Sequence, residues 1–158
     1  MINNAVMAAH DAIQGSQAVC YFTLEGRRYN FMSITEFNSA LSFTTTEVPR
    51  VGTIMMGYKI TAAAGSWSAT CYYNQSTFRV LAERFQNTGR FPEFEIQVTV
   101  DDKTTTVGRQ TIILTGCLLE GDLELAKIVS GEGVLEEELS GVFQGFMIPE
   151  TFRTLPGM

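Results

Sequence analysis

The chain has 158 residues, 17 acidic against 11 basic, with a formal net charge of -6 and its basic residues scattered, which excludes the clustered cationic footprint that grips a phosphate backbone. Hydrophobic residues make up 45% of it and the mean hydropathy is +0.07, enough to fill one domain's core and leave apolar surface for a subunit interface. No run approaches the roughly 18 apolar residues of a membrane helix, and Met1 to Ala12 lacks the basic-then-apolar layout of a secretory signal, so none is expected.

Residues 1–16 are small and polar, close on Gly15-Ser16, and read as an arm or short helix ahead of one β domain spanning 17–158. Val19, Tyr21 and Thr23 alternate with Cys20, Phe22 and Leu24 as a strand does, and Glu25-Gly26-Arg27 turns the chain back through Tyr29. From Ile34, the residues Phe37, Ser39, Leu41, Phe43 and Thr45 fall on one face. Asn38, Ala40, Ser42, Thr44 and Thr46 fall on the other, which is small and uncharged throughout. Pro49 cannot donate to a central ladder, so Glu47 to Thr53 reads as a loop. Tyr58, Ile60, Ala62 and Ala64 then alternate with Lys59, Thr61 and Ala63 as far as Gly65-Ser66, a predicted turn. Trp67 to Tyr73 follows as the second arm of a hairpin, Trp67, Ala69 and Cys71 facing away from Ser68, Thr70 and Tyr72.

A helix is predicted from about Gln75 to Asn87, because Phe78, Leu81, Ala82 and Phe85 recur on one stripe. Asn74 or Ser76 would cap its start, Gly89 would take the left-handed position after its end, and Pro92 stops it; its expected place is as a lid on the sheet. Phe94, Ile96, Val98 and Val100 mark a strand ending at Asp101-Asp102. Arg109 to Gly116 carries apolar groups on both faces, as a central or doubly covered strand would. An acidic stretch from Glu120 to Glu138 leads into a last strand near Glu137 to Phe146, then a tail with Pro149 and Pro156. Six or seven strands with one helix predict a mainly β fold, an antiparallel β-sandwich or partly open β-barrel with one flanking α-helix.

No arrangement here reads as an active site, and no catalytic, cofactor-binding or metal-binding residue is expected. His10-Asp11 lies in the polar arm, where a solvated pair outweighs a catalytic dyad. Cys20, Cys71 and Cys117 are far apart in apolar runs, which points to buried reduced thiols rather than metal ligands. Gly131-Glu132-Gly133 lacks the lysine and hydroxyl of a phosphate loop, and no GxSxG or strand-linked GxGxxG occurs. Glu136 to Glu138 would place its middle carboxylate on the opposite face from the other two, leaving a solvated acidic face. Asn74-Gln75-Ser76 matches a glycosylation sequon but carries no weight without a secretory signal.

The segment Phe94 to Ile128, FEIQVTVDDKTTTVGRQTIILTGCLLEGDLELAKI, resembles the tail tube proteins of contractile-tailed bacteriophages and of phage-tail-like particles such as defective prophages and R-type bacteriocins. The Trp67 to Asn74 strand, the Ser76 to Gly89 helix and Glu138 to Phe152 extend the likeness to about three quarters of the chain. The first fifty residues match in pattern alone. The resemblance implies a subunit of which six copies close into a ring, each giving four strands to a barrel around the lumen, with rings stacking into a tube. The implied partners are copies of itself, the tail sheath protein outside, the baseplate and tail terminator at the ends, and the tape measure protein or DNA inside without specific binding; no small-molecule substrate is implied. The implied location is a phage or phage-tail-like particle, made in the bacterial cytoplasm and released on lysis. On this reading Asn38, Ala40, Ser42, Thr44 and Thr46, with Thr61 and Ala63, are expected to face the lumen, and Arg109 is a candidate interface or loop-pinning residue. The rival readings are a tail terminator or hub component on the same fold, and a monomeric β-sandwich or barrel that binds a small apolar ligand.

Overall fold

The computed structural model describes residues 6–31 and 34–155; the first five residues of the expected arm and Pro156 lie outside them. In chain order the strands are β1 (Ala18–Leu24), β2 (Arg27–Asn30), β3 (Ile34–Val48), β4 (Gly57–Tyr72), β5 (Phe94–Asp101), β6 (Arg109–Leu119), β7 (Glu136–Phe143) and β8 (Gly145–Glu150), with one helix, α1 (Thr77–Thr88), between β4 and β5. Among the described residues the strand pairings are antiparallel and the ladder is open, as a mainly β, partly open fold requires. The chain divides into two compact units, Met1–Met32, Pro92–Gly116 and Gly145–Met158 in one, Ser33–Phe91 and Cys117–Gln144 in the other. Among the described residues no helix is long and apolar enough to cross a membrane.

The first unit has the strand order β2-β1-β5-β6-β8. Glu25 at φ 51 and Gly26 at φ 79 form the two-residue turn between β1 and β2, the geometry whose twist suits a tight hairpin. Phe22 pairs with Ile96 and Leu24 with Phe94, so these four share one face, and all are buried. The Phe22 ring stacks on Tyr29 at 5.0 Å and meets Phe31 edge-on at 5.2 Å. Each fully buried side chain of this kind contributes about 1.5–3 kcal/mol. The last strand differs from expectation: it ends at Phe143, and Gly145–Glu150 forms β8 where a tail had been read. Pro149 fits there because β8 is an edge strand whose pairing with β6 shifts register between Thr111 and Ile113.

Two carboxylates clip the arm to the loop after β5. Buried Asp102 accepts hydrogen bonds from the Gln14 amide at 3.0 Å and from the Thr104 hydroxyl at 2.6 Å, and Asp11 accepts from the Thr106 amide at 2.9 Å and hydroxyl at 2.8 Å. The Thr104 hydroxyl foremost holds the Asp102 carboxyl below the usual aspartate value, and the Thr106 amide does the same for Asp11. A carboxyl depressed by folding adds stability above its unfolded value and loses it as pH falls through its folded one. Acidification below the ordinary aspartate value of 3.8 is therefore expected to free the arm before the sheet melts. Amide exchange down an acid series checks this, with Gln14 and Thr106 losing protection ahead of the β1–β5 ladder.

The second unit has the order β6-β7-β4-β3, β6 contributing Leu118 and Leu119 opposite Val142 and Gly141. Here the structure corrects the hairpin assignment. β4 runs unbroken for 16 residues through Gly65-Ser66, and its hairpin partner is β3. Gly65 is not a turn residue; the Phe143 ring lies against its backbone where a Cβ would stand, the close approach that glycine within a strand permits. Helix α1 starts at Thr77, two residues later than expected, with Ser76 as its N-cap residue but no capping bond from the hydroxyl. It ends as predicted, Gly89 at φ 72 donating its N–H to the Phe85 carbonyl at 2.8 Å. Phe78 and Leu81 of its stripe are buried, whereas Phe85 is half exposed against Phe91.

Candidate assembly surface

Directly opposed residues of an antiparallel pair share a face, so the register assigns the faces of the β3–β4–β7 sheet. One face holds Trp67, Ala69, Cys71, Leu139 and Phe143, all buried, and continues through Phe37 and Leu41 of β3. Phe37 stacks over Trp67 at 6.3 Å. The other face sets Asn38 beside Ser68 and Ser140, Ala40 beside Ser66, Ser42 beside Ala64, and Thr44 beside Ala62. These side chains are exposed, so the small uncharged stripe of β3 lies on an open surface.

The partner stripe on β4 is not the one alternation suggested. A bulge between Thr44 and Thr45 leaves Thr61 as an extra residue on β4, so Thr61 turns to the small face and its hydroxyl meets that of Thr46 at 3.1 Å. Ala63 instead opposes Phe43 on the other face, and Ala62 and Ala64 take the place assigned to it. A bulge reverses inside and outside for every later residue of its strand. Toward the other end of the same face the surface becomes acidic, in a depression lined by Glu36, Thr70, Asp122, Glu124 and Glu138.

Beyond Ser42 the hairpin is exposed on both faces. Phe43, Tyr58 and Ile60 share the face opposite the small stripe and stand 61%, 66% and 60% exposed. At the tip Val51 and Ile54 are fully open, and Met55 and Met56 are exposed beside them. An exposed apolar surface of this kind is the mark of a contact with another molecule.

Beneath the sheet's buried face, an ion pair that local patterning gives no sign of fixes α1. The Arg79 guanidinium lies over the Tyr73 ring at 4.1 Å, donates to the Gln75 carbonyl at 2.7 Å and pairs with the buried Glu137 carboxylate at 3.1 Å. Glu136 and Glu138 point away and are exposed, as alternation predicts for that triplet. Burial foremost raises the Glu137 carboxyl above its usual value, with Arg79 opposing it.

Arg109 acts as a pin within the chain. Its Nε and Nη2 donate to the two carboxylate oxygens of Glu150 at 2.6 and 2.7 Å, a paired fork that locks β8 onto β6. Thr111 donates to the same carboxylate at 3.1 Å and shares a hydroxyl bond with Thr99 at 3.2 Å. His10 stands 3.6 Å from Asp11, whose carboxylate is occupied by Thr106, so it is Asp11 that holds the arm. Cys20, Cys71 and Cys117 are buried thiols outside any disulfide, and burial foremost pushes Cys20 and Cys71 up to about 12. Asp102 and Arg79 were the residues sequence reasoning missed. The Asp102-Lys103-Thr104 turn carries a local signal for the first, since aspartate readily bonds the amide two residues on.

A family described as "Phage tail tube protein" matches residues 5–150. Among curated proteins the chain is 29% identical over 147 residues to the phage-like element PBSX protein XkdM of Bacillus subtilis (strain 168), covering 91% of this chain and 95% of that one. It is 26% identical to the uncharacterized protein YqbM of the same organism, covering 94% and 97%. Among solved structures the fold is similar to a chain of the anti-feeding prophage tube-terminating cap, with a TM-score of 0.66 at 12% identity over 95% of this chain and 96% of that chain. A chain of a sheath-tube complex from an extracellular contractile injection system gives 0.65 at 8% identity, over 89% and 93%.

Proposed function

The chain belongs to the phage tail tube protein family, and from that premise we propose that it is the repeating subunit of the inner tube of a contractile phage tail or phage-tail-like particle. Residues 17–158 act as one tube domain on this reading; six copies close into a ring and rings stack into a hollow conduit. The observation that carries it is the β3–β4 hairpin, a two-stranded arm with exposed apolar residues on one face and at its tip, small residues with Lys59 beside Thr46 on the other, and a free outer edge on β3. A strand with unpaired amides and carbonyls is a template for pairing with another chain, and ring closure removes that liability. In the ring the small face, Asn38, Ala40, Ser42, Thr44 and Thr46 with Thr61, Ala62 and Ala64, lines the lumen. Its acidic end keeps passing nucleic acid from sticking.

The sheath protein surrounds this tube, the tape measure protein or DNA occupies it without specific binding, and baseplate and terminator close its ends. The chain performs no catalysis and takes no cofactor, metal or small-molecule substrate. It is made in the bacterial cytoplasm and leaves in the particle on lysis. Negative-stain electron microscopy of the purified protein over a concentration series tests the proposal: sixfold rings or hollow tubes are expected. Uniform small monomers at every concentration would overturn it.

A further inference from the structure

Resting on the reading of the chain as a self-assembling subunit, we propose that the hairpin tip of one copy docks on the loop between β6 and β7, residues 120–135, of a second copy. The end of the hairpin joins exposed Val51, Ile54, Met55 and Met56 to two cations, Arg50 and Lys59, against one carboxylate, Glu47; Lys59 stands two residues inside the strand, beside Thr46 on the small face. Neither cation has a carboxylate partner among the described residues; Arg50 is turned inward on the tip, its Nη2 donating to the Met55 carbonyl at 3.3 Å. The loop offers the complementary combination. Leu125, Ile128, Val129 and Val134 are exposed on it, and Glu120, Asp122 and Glu132 have no cationic partner among the described residues. Its one lysine, Lys127, is spent internally on Glu124 at 3.4 Å and on the Glu136 carbonyl at 2.6 Å.

The loop is also held in shape before any partner arrives. The Tyr73 hydroxyl donates to the Leu125 carbonyl at 2.9 Å, and the Glu120 amide donates to the Ser140 carbonyl at 3.0 Å. A preformed surface costs less to bind than one that must be ordered. Pairing like with like is disfavoured, because tip against tip opposes two ends of net positive charge and loop against loop opposes carboxylates. The contact is therefore heterologous: each copy uses its tip on one neighbour and its loop on another, which propagates an assembly rather than ending at a dimer.

Chains with one added cysteine test the pairing, since the native thiols are 6%, 2% and 0% exposed and do not compete. Chains carrying Met55→Cys mixed with chains carrying Val129→Cys are expected to form a disulfide-linked pair under mild oxidation, while neither variant links to itself. Arg50→Glu with Lys59→Glu in one chain is expected to weaken self-association about tenfold, and mixing with chains carrying Asp122→Lys and Glu132→Lys restores it. Self-linking of Met55→Cys, or rings and tubes that form from the cysteine variants without the mixed link and from the charge variant without weakening, would overturn the docking while leaving the tube function standing. Wild-type protein that never associates would sink both.

Discussion

Alanine in place of Arg79 is expected to cost about 3–5 kcal/mol of folding stability, the range for stranding one partner of a buried ion pair. The Arg79 side chain is 15% exposed and that of Glu137 4%, so the pair is largely shielded from water. Glu137 would keep the Cys71 thiol, whose sulfur is 3.8 Å from Oε1, as its remaining side-chain donor. The loss has a definite pH dependence. A carboxyl whose folded value is raised above its unfolded one contributes stability below the unfolded value and loses it as pH rises through the folded value. Glu137 is raised by burial and restrained by Arg79, so without Arg79 the deficit is greatest near neutrality and shrinks in acid, where Glu137 takes a proton. Urea unfolding of wild type and Arg79→Ala at both conditions measures it. The double variant Arg79→Ala with Glu137→Gln should be more stable than Arg79→Ala alone, and an equal deficit in the two would show that Glu137 is not the stranded group.

Local chemistry made much of the fold legible. The Glu25-Gly26 turn, the Gly89 helix end and the alternation of Phe94 to Val100 are each determined by residues within a few positions of one another, and all stand where expected. Contacts far along the chain defeated the same reasoning. Gly65 carries the usual sign of a turn, and only the Phe143 ring, brought over it by the β4–β7 register, reveals it as a packing glycine. Thr61 looks like an ordinary member of an alternating run, yet its hydroxyl bonds to Thr46 and to the Thr44 carbonyl accompany a bulge that reverses the faces of β4. The Arg79–Glu137 pair spans 58 residues and leaves no periodic trace. The assembly surface was legible in part: the small stripe on β3 came from alternation alone, whereas the loss of any core beneath Phe43, Tyr58 and Ile60 required knowing that β3 and β4 pair with each other.

Gly141→Ala should be the most damaging single methyl in the second unit, at the upper end of the roughly 1–3 kcal/mol that overpacking costs. Gly141 pairs with Trp67 on β4 and with Leu119 on β6. A Cβ there would overlap the Leu118 carbonyl and meet the Trp67 indole nitrogen at 2.7 Å. The carbonyl is main chain and cannot rotate aside, so relief requires β7 to move from β6 or Trp67 to leave its place. Trp67 stacks on Phe37 at the root of the hairpin, which carries the displacement into β3, the strand whose free edge and small face the proposed ring uses. The variant is therefore expected to lower the urea midpoint and to reduce tube formation even under conditions where most of it is folded. Gly133→Ala, with nothing within 4 Å of the added carbon, should stay within about 0.5 kcal/mol of wild type. Equal midpoints for the two variants would mean that β7 has room at Gly141 and that the hairpin's root is not held through Trp67.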